Sequence, residues 1–162
     1  MNRKVVVLAI ALLCSGRFVA TGQPTARSPA VFTAAQAEAG RTAFENSCAQ
    51  CHTVSLLGRK GQEGELPPLT SLPGPYLDFI GKSGRVPPLM GNDFVEKYGV
   101  KTAAEMYTLF RGAADTTPVA ELNMSNDTLV NITAYILQRN GAMTGNQPLT
   151  TATDAVFKSI VK

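Results

Sequence analysis

Wherever a period can be read in the apolar positions of this chain, it is helical. After Ser125, the residues Leu129, Ile132 and Ile136 recur at helical spacing, with Tyr135 on the flank of the stripe. Ser125 is a good N-cap, Asp127 complements the positive end of the helix dipole, and Asn140-Gly141 is a natural stop. A second stripe, Met106, Leu109 and Phe110, predicts a shorter helix from about Thr102 to Arg111, ended by Gly112. Nearer the start, Thr33-Ala34-Ala35-Gln36 fits a capping box, and an alanine-rich helix continues through Gly40, Ala43 and Phe44. Gly40 and Phe44 are four apart and share a face. A glycine there lets another helix come close; without such a use it would cost about 1 kcal/mol. No useful length alternates with a strand period, so the chain reads as all-α.

The flanks are of different character. Asn2-Arg3-Lys4 followed by an apolar run from Val5 to Leu13 predicts an export signal over residues 1–22, with small residues Ala20 and Gly22 before the cut. That run is too short to cross a bilayer, which takes about 20 residues. Cys14 offers a lipoprotein anchor as the rival, against which stands the bulky Leu13 before it. Residues 23–30 hold two prolines and no periodicity, and read as a linker. The helical domain is expected over 31–143. From 144 to 162 the chain is polar and threonine-rich, yet Val156, Phe157, Ile160 and Val161 form an apolar cluster that a free tail would not need. That cluster predicts a tail packed on the domain or on a partner.

Composition changes this picture in two ways. The chain has no tryptophan and few aromatics, so a large apolar cofactor would supply much of the missing interior. The formal charge of +3 also misleads, because Arg3, Lys4 and Arg17 belong to the expected leader. Without them, basic and acidic side chains balance, and nothing argues for a nucleic-acid partner.

The chemistry is concentrated in Cys48-Ala49-Gln50-Cys51-His52. Two cysteines at this spacing with histidine next are what covalent attachment of haem c requires. Each thiol adds across one porphyrin vinyl group, and the histidine becomes the proximal iron ligand. One haem, held through Cys48 and Cys51 with His52 beneath the iron, is the expectation. A structural zinc would want four ligands, and with Cys14 in the leader the chain is one short. A thioredoxin-type dithiol would follow a buried strand, and none precedes Cys48. A plain disulfide leaves His52 unexplained. Haem attachment of this kind takes place outside the bacterial cytoplasm, which agrees with the export signal and predicts a periplasmic or other extracytoplasmic location, with N-terminal anchoring as the variant.

Gly40-x-x-x-Phe44, the Cys48–His52 motif, and Ile132-x-Ala134-Tyr135-Ile136 together resemble class I (monohaem) cytochrome c over about Val31 to Met143. The resemblance implies a fold in which the first and last helices cross at the glycine and aromatic positions, with haem in the cup they form. The stretch from Ala134 to Gly141 is more narrowly similar to single-haem cytochromes that accompany quinoprotein dehydrogenases and bacterial respiratory chains. Val86-Pro87-Pro88-Leu89-Met90-Gly91 is similar to the family's proline loop, so the Pro87 carbonyl would accept a hydrogen bond from Nδ1–H of His52. The family reaches this loop sooner, and Ser55 to Arg85 is an insertion with four prolines, one helical turn expected at Tyr76–Ile80, and basic Arg59, Lys60, Lys82 and Arg85 diluted by Glu63 and Glu65. Each charge there reads first as solvated.

The distal ligand is the open point. His52 is the only histidine, which excludes a second imidazole from this chain. Methionine is the family norm. Met90 sits in the proximal loop, Met106 belongs to a core stripe, and Met143 would have to fold back; Met124 stands just before the last helix. Where the family's ligand is usually found, this chain reads Thr116-Thr117-Pro118, and a threonine hydroxyl is a poor ligand. Either Met124 serves, or the position is vacant or takes water. The expected function is a carrier of single electrons between a redox-protein donor and acceptor, without a catalytic acid–base pair or nucleophile. The rivals are a haem subunit fixed in a membrane electron-transfer complex, and a five-coordinate haem protein that binds a small ligand.

Overall fold

The computed structural model describes residues 29–61, 65–81 and 84–161. The expected export signal, its cleavage site, Cys14, nearly all of the expected linker, Glu63 and Lys82 lie outside the described residues. In order, the elements are α1 (Ala34–Asn46), α2 (Ala49–His52), β1 (Arg59–Lys60), α3 (Gly74–Ile80), β2 (Arg85–Val86), α4 (Asn92–Tyr98), α5 (Ala103–Ala114), α6 (Asn126–Arg139) and α7 (Phe157–Ile160). The two short strands pair antiparallel, Arg59 opposite Val86 and Lys60 opposite Arg85. The fold is all-α, and the strands only pinch the insertion together at its base.

Helix α1 begins as a capping box. The Gln36 amide N–H donates to Thr33 Oγ1 at 3.2 Å and Thr33 N–H returns a bond to Gln36 Oε1 at 3.2 Å. The same glutamine pairs with the backbone of Leu149, donating from Nε2 at 2.9 Å and accepting at Oε1 at 2.8 Å, so one cap also ties down the tail. The buried face of α1, Ala37, Gly40 and Phe44, crosses α6. A Cβ on Gly40 would run into the backbone carbonyl of Asn131, so the glycine is what allows this approach. Beside it the rings of Phe44 and Tyr135 meet with centroids 5.5 Å apart and tilted by 54°. Leu129, Ile132 and Ile136, the stripe expected of the last helix, are all buried.

Two features depart from the sequence expectation. Gly112 does not end α5; the helix runs on to Ala114, because the alanines that follow are the best helix formers and the glycine sits in open space. Helix α4 was not foreseen: it buries Phe94 alone, too little for a periodic stripe, and holds its place by packing that ring on Tyr98 at 5.0 Å and Phe157 at 5.7 Å. The tail closes over this region. Ala103 N–H donates to Ala155 carbonyl at 2.9 Å, Phe157 N–H to Lys101 carbonyl at 2.8 Å, and Lys158 N–H to Gly99 carbonyl at 2.9 Å. Phe157 and Ile160 are fully buried. Among the described residues no helix is long and apolar enough to cross a membrane.

Candidate functional site

Between α2, the proline loop, α5 and α6 lies a cavity of about 380 Å³ with mainly apolar walls. One wall carries Cys48, Cys51 and His52 together with Val86, Pro87 and Leu89. The facing elements contribute Leu109 and Phe110 from α5, Met124 from the loop between α5 and α6, and Leu129, Ile132 and Ile136 from α6. Phe79 and Ile80 of α3 complete the rim, so the insertion takes part in the wall.

The motif is held as one turn. Cys48 stands at the N-cap of α2, and His52 N–H donates to its carbonyl at 2.9 Å. Thr53 follows at φ 63°, ending the helix and turning the chain away. His52 Nδ1 lies 2.9 Å from the Pro87 carbonyl oxygen. A carbonyl can only accept, so Nδ1 carries the proton and Nε2 keeps its lone pair for another partner. Burial lowers the imidazole pKa, with the Pro87 carbonyl pulling the other way, so the ring is neutral at neutral pH.

The proline loop is itself clamped. Leu89 N–H donates to Leu56 carbonyl at 2.8 Å. Asn140 spans the loop from the end of α6, donating from Nδ2 to Leu89 carbonyl at 3.0 Å and accepting from Gly91 N–H at 3.1 Å. Gly58, at φ 69°, takes a conformation open to glycine, and a Cβ on it would run into the Val86 carbonyl. Sequence reasoning saw Asn140 as a helix stop and missed this second use. Its signal was available only in part, since an asparagine at a helix end has several ordinary explanations.

Arg59 is the clearest correction. Expected on a solvated loop, it is 2% exposed and sits beneath α2. Its Nη2 donates to the carbonyls of Gln50, at 3.0 Å, and Pro67, and Nη1 lies 3.8 Å from Glu65 Oε2. The guanidinium thus ties the insertion to the backbone between the two cysteines. Leu66 and Leu57 stand out to solvent instead. The charge is buried because two carbonyls and a carboxylate converge there, which no local pattern announces.

Burial pushes both thiols above the ordinary cysteine range. At Cys48 the Ser47 hydroxyl opposes the shift and Cys51 adds to it; at Cys51 the Arg59 guanidinium opposes it. Attacking thiols of redox dithiols are shifted in the opposite direction. Among the described residues, no group of three or more His, Cys, Asp or Glu side chains converges as a metal cage would require. The methionines sort cleanly. Met106 is fully buried in the core, Met90 takes a contact from Arg139 Nη2 at 3.6 Å, and Met143 borders a separate surface hollow beside Ala30. Met124 lies on the cavity wall, while Thr117 is exposed and is not part of it. Two thiols, a neutral imidazole with Nε2 free and a thioether around an apolar hollow form a donor set that fits a haem.

A family model described as cytochrome c matches residues 37–140. No curated protein and no solved structure matches the chain.

Proposed function

The chain belongs to the cytochrome c family, and from that premise we propose that it is an exported, single-haem carrier of electrons between a donor and an acceptor redox protein. When bound, the haem supplies one-electron Fe(III)/Fe(II) chemistry. The observation that carries this reading is the set of side chains around the apolar cavity: Cys48, Cys51, His52 and Met124 on its walls, with the Pro87 carbonyl on Nδ1 of His52.

Each residue has a task. Cys48 and Cys51 hold the macrocycle through thioether links. His52 offers Nε2 to the iron, and Pro87 fixes the ring and raises its basicity. Met124 would offer its thioether to the iron, a ligand that would give a higher reduction potential than a second imidazole. Leu129, Ile132 and Ile136 exclude water, and Phe79 and Leu109, exposed at the rim, leave the cavity approachable. Membership of class I, a periplasmic setting and service beside a quinoprotein dehydrogenase or respiratory complex belong to the same proposal. They are supported by the motifs of α1 and α6 and by the apolar run of residues 5–13.

The test is optical. The oxidised protein is expected to show a sulfur-to-iron charge-transfer band that Met124→Ala abolishes, and a redox titration is expected to take up one electron per chain. A native protein without that band would leave the distal position to water or to an added ligand.

A further inference from the structure

The turn that carries Met124 is held in an unusual way. Asn123 before it is left-handed, at φ 45° and ψ 49°, a conformation asparagine tolerates better than most residues. Ser125 after it caps α6, accepting from Thr128 N–H at 3.1 Å. Between them, the Met124 carbonyl accepts a hydrogen bond from Arg111 Nη2 of α5 at 3.0 Å. The same Nη2 donates to Asn126 Oδ1 at 2.9 Å, and Tyr107 Oη donates to that oxygen at 2.9 Å. Nη1 is oriented by Asp115 at 3.3 Å. Arg111 is therefore a bracket between α5 and the turn, with the cavity-lining Leu109 and Phe110 just before it in the same helix.

We propose that Arg111 is a positioning residue for the distal ligand: its grip on the Met124 carbonyl holds the thioether over the cavity against displacement by outside ligands. This rests on the proposal that Met124 binds the iron. Methionine has three rotatable bonds and is easily displaced from where it points, so the backbone beneath it must be fixed by something else. The chain between Pro118 and Ser125 is one short 3-10 turn, Val119–Leu122, and then the left-handed Asn123. It has little rigidity of its own. A hydrogen bond from a charged donor, tied at the same time to the first residue of α6, supplies it.

Exogenous imidazole is the probe, titrated optically against the oxidised holoprotein. Loss of the bracket in Arg111→Gln is expected to raise the affinity for imidazole about tenfold, equivalent to about 1.4 kcal/mol, with Arg111→Lys between the two. Met124→Ala is expected to raise it at least as far. In the Met124→Ala background, Arg111→Gln is expected to change it by no more than about twofold, the scatter of independent sites. If Met124→Ala leaves both the charge-transfer band and the imidazole affinity unchanged, the ligand assignment itself fails and the bracket loses its purpose. If Met124→Ala raises the affinity and Arg111→Gln does not, the assignment stands and the positioning role is overturned. A rise of equal size in both backgrounds also overturns it, since Arg111 would then act on the cavity at large. Should Arg111→Gln not accumulate as holoprotein, Asn126→Ala removes the bracket's second anchor and is expected to shift imidazole affinity upward, and no shift there overturns the role as well.

Discussion

Replacing Cys48 and Cys51 together by alanine is expected to give a chain that acid and organic solvent strip to the mass of bare polypeptide. The parent chain, treated in the same way, keeps the added mass of a porphyrin. The difference follows from the kind of bond each side chain can make. With both sulfurs gone, a haem would be retained only by His52, by Met124 and by the apolar faces of α5 and α6. All of those are undone once the fold is lost, whereas a thioether is not. Single substitutions are expected to leave porphyrin mass on the chain through the remaining sulfur. Mass spectrometry of the extracted proteins is the measurement, and a parent chain that weighs as bare polypeptide would return the two cysteines to dithiol chemistry.

The second large effect is expected at Gly40. By helix propensity alone, Gly40→Ala should stabilise α1 by about 1 kcal/mol. Contact reverses the sign. The new Cβ meets the Asn131 carbonyl, which is backbone inside α6 and cannot rotate aside. The helices must separate, and the Phe44–Tyr135 contact goes with them. Overpacking of this kind costs about 1–3 kcal/mol and at times more. We expect a net loss of roughly 2 kcal/mol, read as a fall in Tm of several degrees. Gly112→Ala is the internal control. It lies inside α5 with open space where the Cβ would go, so the propensity gain of about 1 kcal/mol stands unopposed and Tm is expected to rise. Two identical substitutions with opposite signs separate packing from propensity; a Gly40→Ala protein as stable as its parent would show that the helices do not approach as closely as described.

Much of this organisation was legible along the chain because it is local. The capping box at Thr33, the stripe of α6 and the five-residue motif are each written within one or two turns, and each appears where its residues said. Gly40 was readable as a contact, though not its partner carbonyl at Asn131. What could not be read depends on groups far apart in sequence. Arg59 is buried because Gln50, Pro67 and Glu65 converge on it. Asn140 reaches across 51 positions to Leu89. Arg111 meets a carbonyl rather than a side chain, and backbone acceptors carry no signature in a sequence. Of the four methionines after Met1, Met124 was already the candidate along the chain, but that it alone of Met106, Met124 and Met143 lines the hollow depends on how distant elements pack.

The crossing of α1 with α6 also sets a timetable. The ribosome makes the Cys48–His52 stretch early, but the helix that backs α1 and walls the hollow starts only at Asn126. At about 5–20 residues per second, the intervening stretch of roughly seventy takes several seconds to synthesise. If the chain is exported as proposed, N-terminus first, both sulfurs emerge before α6 follows, and whatever joins them to a porphyrin meets them on a peptide that is not yet folded.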